Sequence, residues 1–212
     1  MIDAQPKISI PKTILPTLPH AHFTGKITVI DSLDKARQAL RALRRAGVVG
    51  FDTETRPSFR RGHPHKVALM QLSTEDHCFL LRLCTMGVSQ ALCNFLQDPS
   101  VVKIGLSVHD DFTVLRRSVP GLQPQGFVEL QNFVQQFGIA DISLQKIYAI
   151  VFGEYMPKNQ RLTNWEAPQL TTHQQAYAAM DAYACLRLYK YLQSGQFDPL
   201  SSPYQLTYHE ET

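Results

Sequence analysis

Residues 48–55 read Val-Val-Gly-Phe-Asp-Thr-Glu-Thr, and no other stretch limits the chain's folding options as tightly. Apolar β-formers lead straight into Asp52 and Glu54, two residues apart. Side chains alternate along a strand, so both carboxylates leave the same face. At the end of a buried central strand, two like charges side by side repel. A strand that serves structure alone gains nothing from such a pair, whereas a bound cation removes the conflict. Acids just past a strand also occur as solvated loop residues or helix caps. The pair therefore takes its meaning from whether more carboxylates follow at suitable places.

They do. Asp110 and Asp111 follow Lys-Ile-Gly-Leu-Ser-Val-His at 103–109, a strand entering a helix, where one of the two can act as a cap. Asp181 falls inside a helix expected at 172–193, where aspartate is a poor former. Its neighbours are small or apolar: Ala178, Ala179, Met180, Ala182 and Ala184. Tyr177 lies one turn earlier on the same face. Asp52, Glu54, Asp111 and Asp181 thus come from three separate elements. Brought together, they call for hard divalent cations with oxygen ligands. Few nitrogen donors accompany them, so Mg²⁺ or Mn²⁺ suits the set better than Zn²⁺. A pair of such ions fits in-line attack on a phosphodiester, one activating water and the other stabilising the leaving 3′ oxygen. Tyr177 can orient that water, with Glu54 as a hydrogen-bond acceptor.

The rest of the chain frames this site. Pro6, Pro11, Pro16 and Pro19 mark residues 1–26 as an extended arm that lies on the surface or frays. His20 and His22 form an isolated pair without nearby cysteines or acids and receive no metal role. A short strand at 27–30 precedes a helix from Leu33 to near Gly47, capped by Asp31 or Ser32. The strand at 48–54, then Lys66–Thr74 and His77–Leu83, read as an antiparallel meander. Beyond it, a helix through Val88 and Leu96, a strand at 101–106, a helix at 110–117 and a strand at 126–130 imply parallel crossovers. Helices at 130–137, 143–152 and 172–193 follow, with 154–170 irregular and Thr172 and Gln175 as a capping box. The expected fold is therefore a single α/β domain at 27–194, a mixed β-sheet flanked by helices, with a polar tail at 195–212. At 212 residues and 44% hydrophobic content, the chain can build a sizeable core. Its net charge of +3 is compatible with a polyanionic partner. The four cysteines show no metal-type spacing, and neither a secretory signal nor a membrane span is visible, so a cytoplasmic protein is expected.

Three blocks, Phe51-Asp52-Thr53-Glu54, Lys103-Ile104-Gly105 through Asp111, and Tyr177-Ala178-Ala179-Met180-Asp181, resemble the three motifs of the DEDD 3′–5′ exonucleases. The Tyr-x-x-x-Asp form is that of the DEDDy branch, which includes RNase D and the Werner-type exonuclease domain. Residues 66–72, Phe127-Val128-Glu129-Leu130, Ser143-Leu144 and Asn164-Trp165 extend the resemblance over roughly 27–193. The other branch has histidine where this chain has Ala176. The resemblance implies an RNase H-like fold and release of nucleoside 5′-monophosphates from 3′ ends of DNA or RNA. It also implies one metal on Asp52, Glu54 and Asp181 and a second bridged by Asp52 and supported by Asp111. Alignment favours Asp111 over Asp110.

Beside such a site, Arg56, Arg60, Arg61, Lys66, Lys158 and Arg161, and also Lys103, are candidates for backbone phosphates. Thr53 and Met70 are placed near the terminal nucleotide. Trp165 can stack on a base or anchor the 154–170 segment. The rival expectation is a non-catalytic nucleic-acid-binding or scaffold domain that keeps the fold. Oligomeric state and the choice between DNA and RNA stay open.

Overall fold

The computed structural model describes residues 6–57 and 65–206. Arg60 and Arg61 lie outside the described residues. Thirteen principal elements follow in order: β1 (Lys26–Ile30), α1 (Leu33–Ala46), β2 (Val48–Thr55), β3 (Val67–Ser73), β4 (His77–Arg82), α2 (Leu83–Met86), α3 (Gln90–Leu96), β5 (Val102–Gly105), α4 (Val108–Leu115), β6 (Phe127–Glu129), α5 (Leu130–Gln135), α6 (Leu144–Phe152) and α7 (Thr172–Gln193). The six strands form one sheet in the order β1-β4-β3-β2-β5-β6. The meander is present as β2, β3 and β4, paired antiparallel. β1 joins β4, β5 joins β2 and β6 joins β5, all in parallel.

The sheet is covered on both sides. Val49 and Phe51 of β2 point into a core shared with Leu40 and Leu43 of α1 and Phe95 of α3. The alternate residues Gly50, Asp52 and Glu54 face α7. At Gly50 the backbone of α7 closely approaches β2: a Cβ built there would sit 1.8 Å from the carbonyl oxygen of Ala182. Only a residue without a side chain allows this approach, and the alanines of α7 make the matching surface. The close contact brings Asp181 alongside Asp52.

Several boundaries depart from the expectations. Leu83 opens α2 instead of finishing β4, and α4 starts at Val108, so Asp110 and Asp111 lie in its first turn and neither is its cap. The capping box of α7 sits one residue early, on Thr171 and Gln174: Gln174 N–H donates to Thr171 Oγ1 at 3.2 Å and Thr171 N–H to Gln174 Oε1 at 3.0 Å. In the arm, Ile8 and Ile10 are fully buried. Ile8 N–H donates to Gly138 O at 2.8 Å, and Leu206 N–H donates to Lys7 O at 2.7 Å, so arm and tail share one seam.

Candidate active site

Three of the four acids converge. Asp52 and Glu54 from β2 and Asp181 from α7 each offer a carboxylate oxygen, all within 4.8 Å of one another. Asp111 approaches from α4, where its carboxylate accepts a hydrogen bond from Thr53 Oγ1. Asp110, its neighbour, is exposed. Thr53 therefore serves as a strut between the two motifs.

Glu129, at the end of β6, explains why Asp111 is free to face the acids. Its carboxylate accepts from the backbone N–H groups of Ser107 and Val108, both at 2.9 Å, and from Gln131 N–H at 3.1 Å. It thereby satisfies donors at the α4 N-terminus that a first-turn aspartate would otherwise claim. It also holds Ser107 in a left-handed conformation with φ of 61°, unusual for a residue with a side chain. In the sequence Glu129 stands only within the block Phe127-Val128-Glu129-Leu130, with no local sign of this role.

The site is electrostatically uncomfortable. Burial, reinforced by the charge of Asp181, pushes the Asp52 carboxyl well above its ordinary range. Burial raises Glu54 to about 10, with Asp52 and Asp181 adding to it, and Asp111 to about 8, with Asp52 as the next cause. Burial also raises Asp181 to about 7, although the Tyr177 hydroxyl and Lys158 lower it. Acids pressed together this way, with carboxylate oxygen as the only donor type, fit hard divalent cations such as Mg²⁺ or Mn²⁺ and do not suit a softer ion. The phenol of Tyr177 is raised by burial and then by Asp181, Glu54 and Asp52, so it keeps its proton.

Asp52, Glu54, Tyr177 and Asp181 line an open cleft of about 420 Å³. Lys158 and Arg161 reach it from the irregular segment and are exposed there. Arg161 is the cation that opposes the rise at Glu54. The exposed Ile142 forms part of its lip.

Arg56, Lys66, Met70 and Trp165 are not on the lining of this cleft. Arg56 pairs with Glu166 at 3.4 Å, and Lys66 lines a separate cleft beside Arg82. Met70 is fully buried in β3 within the core shared with α1 and α3, so it cannot approach a nucleotide. Trp165 is likewise fully buried, against Leu69, Ala178 and Ala179, with its ring 6.1 Å from that of Tyr177. A ring with no exposed face cannot stack on a base, and Trp165 takes the anchoring role. Lys103 is no phosphate contact either: it is fully buried, and its Nζ donates to Asp98 O at 2.7 Å and Phe95 O at 3.2 Å. There it closes the end of α3, and burial pushes it down to about 8.

Comparison with known proteins agrees with this geometry. A sequence model described as 3′–5′ exonuclease matches residues 27–195. A 3′–5′ exonuclease from Arabidopsis thaliana is 33% identical over 154 residues, covering 68% of this chain and 52% of its own length. The mouse bifunctional 3′–5′ exonuclease/ATP-dependent helicase WRN is 32% identical over 197 residues, covering 88% of this chain and 14% of its own. The chain thus spans about half of the first relative and a small part of the second. Among solved structures, the Aedes aegypti Nibbler EXO domain superposes with a TM-score of 0.73 at 22% identity, covering 85% of this chain and 96% of that one. Escherichia coli RNase D gives 0.71 at 24% identity, covering 80% and 44%. These two likenesses establish the fold. With the matched region running from β1 past the end of α7 and containing every acid of the site, the chain belongs to the 3′–5′ exonuclease family.

Proposed function

We propose that the protein is a metal-dependent 3′–5′ exonuclease that releases nucleoside 5′-monophosphates from single-stranded 3′ ends of DNA or RNA. The observation that carries this is the meeting of Asp52, Glu54 and Asp181 within 4.8 Å, in an open cleft with Asp111 alongside. Asp52, Glu54 and Asp181 would hold one Mg²⁺ or Mn²⁺, and Asp52 with Asp111 a second. When bound, the pair of cations supplies water activation and charge stabilisation at the leaving 3′ oxygen.

The chain's own residues do the rest. Lys158 and Arg161 attract and fix the backbone phosphate at the open side of the cleft. The Tyr177 hydroxyl, protonated at neutral pH, bonds to Asp181 and keeps oxygen lone pairs available to orient a water. Trp165, packed beside Tyr177, restrains that ring. Thr53 holds Asp111 to the strand that carries Asp52 and Glu54.

The test is an assay on matched 5′-labelled DNA and RNA oligonucleotides with Mg²⁺ or Mn²⁺. Wild type should shorten one or both stepwise from the 3′ end, and Asp52→Ala should not. Equal rates for the two proteins would reject the proposal. Tyr177→Phe should slow turnover more than it weakens oligonucleotide binding.

A further inference from the structure

Gln71 of β3 is fully buried, yet neither its amide nitrogen nor its amide oxygen has a hydrogen-bond partner among the described residues. Two other buried side-chain atoms there lack one, Arg82 Nε and Trp165 Nε1, but both belong to side chains held by other contacts. Arg82 donates through its Nη atoms to the carbonyls of Ala167 and Pro168, and the Trp165 ring packs against Leu69 and Ala178. For Gln71 the whole polar group is unpaired, which costs stability that an apolar residue of similar shape would not lose. Its neighbours on this face of the sheet are apolar: Leu69, two positions earlier, and Leu80, opposite it on β4, both fully buried. On its other side, Gln71 lies directly opposite Asp52 in the β2–β3 ladder. Opposed residues project from the same face with Cβ atoms about 4.5–5.5 Å apart, within the length of a glutamine side chain. Gln71 therefore stands beside Asp52 on the face that α7 covers.

We propose that Gln71 is a positioning residue for the metal centre: its side-chain amide donates to the Asp52 carboxylate and fixes which way that acid's oxygens face. The inference rests on the metal-dependent nuclease function proposed above. In this structure the amide is not bonded to Asp52; the bond is expected when cations draw the carboxylate into one orientation. Asp52 is the acid assigned to both cations, so its orientation bears on both. A neutral amide suits this place, because it donates to a carboxylate without competing with the cations for its charge. Partners of this kind, hydrogen-bonded to a ligating group, are typically worth about 10–100-fold in metal affinity or activity. That gain accounts for an amide where the surrounding face calls for leucine.

The test is Gln71→Met, close to glutamine in shape and without its polar atoms. Chelator-treated Gln71→Met should melt at or above the wild-type temperature, because an unpaired amide has been removed. Its Mg²⁺ affinity by calorimetry should nevertheless fall by about 10–100-fold. In the oligonucleotide assay kcat should fall with little change in KM. A residue that only supports the fold predicts the reverse: a lower melting temperature and an unchanged Mg²⁺ affinity. That pattern would mean the amide is paired inside the protein, with Trp165 Nε1 as an available donor, and it overturns the inference. Equal Mg²⁺ affinity and kcat in the two proteins overturns it as well, whatever the melting temperature. If the methionine variant does not fold, Gln71→Leu, matching Leu69 and Leu80, takes its place with the same readouts. A wild type that neither binds Mg²⁺ or Mn²⁺ nor cleaves any oligonucleotide overturns the nuclease proposal, and this inference with it. A wild type that does both, beside an unchanged variant, overturns the inference alone.

Discussion

The Glu129 carboxylate grips the amides of Ser107 and Val108 at 2.9 Å each, and through them it sets the direction in which α4 presents Asp111. Removing it strands two partly buried donors, at a cost of about 1–3 kcal/mol. Glu129→Ala should therefore lower stability in urea titration by roughly that amount. It should also lower kcat at least about tenfold, although Glu129 touches no acid of the site directly. Glu129→Gln, which keeps one acceptor, should fall between. A variant of normal activity would show that Asp111 needs no such guide.

The adjacent pair at 110–111 separates cleanly. Asp111→Asn should abolish most turnover, whereas exposed Asp110→Asn should stay within about twofold of wild type. Comparable losses in single-turnover assays would mean that both acids serve the site.

Stability of the chelator-treated protein should depend on pH in an unusual direction. Asp181, Asp111 and Glu54 are raised from 3.8, 3.8 and 4.5 to about 7, 8 and 10. Between about pH 5 and 8 the native state thus holds more protons than the unfolded chain at these groups, and stability falls as pH rises. Lowered His77 works the other way below 6.5, but as one group against several. Lys103, lowered to about 8, opposes the trend only above that pH. The lowered carboxyls of Asp31 and Asp98 act below about pH 4. Melting temperature in EDTA should drop from pH 5 to 8, Mg²⁺ should recover more at pH 8 than at pH 5, and Glu54→Gln should flatten the slope. A flat or rising profile for wild type would contradict the crowding of charge described above.

Lys103→Met offers a contrast. Loss of the two Nζ hydrogen bonds leaves the carbonyls of Phe95 and Asp98 without that donor, and stability should fall by about 1–3 kcal/mol. Oligonucleotide affinity and its salt dependence should not change. A shallower salt slope would return Lys103 to the list of phosphate contacts.

Much of the site could be read from the chain, for identifiable reasons. Period-two alternation put Asp52 and Glu54 on one face, and the alanines around Asp181 announced a close helix contact. Other features depend on contacts that no local pattern carries. Thr-x-x-Gln occurs at both 171–174 and 172–175, and the register is settled by Gln174 Nε2 donating to Thr163 Oγ1 at 2.9 Å, eleven residues away. Burial of β3 on both faces removes the alternation that distinguishes inside from outside, so no local pattern marks Met70 as core. Lys103 and Glu129 are charged residues whose partners are backbone groups on other elements, so neither has a signature in its own neighbourhood.

Gly50→Ala tests the contact on which the site's spacing depends. The added methyl meets the Ala182 carbonyl, and one of the two backbones must retreat. A loss of at least about 1–3 kcal/mol is expected, with Mg²⁺ affinity by calorimetry falling in any molecules that still fold.

Because main chain abuts main chain at that point, the gap between Asp52 and Asp181 is gauged by atoms that have no rotamers. Side-chain substitutions around the acids can alter charge, solvent access or the fit of a substrate while the spacing of Asp52 and Asp181 stays where the two backbones put it. Such a centre tolerates change at its rim and very little at one residue that bears no functional group at all.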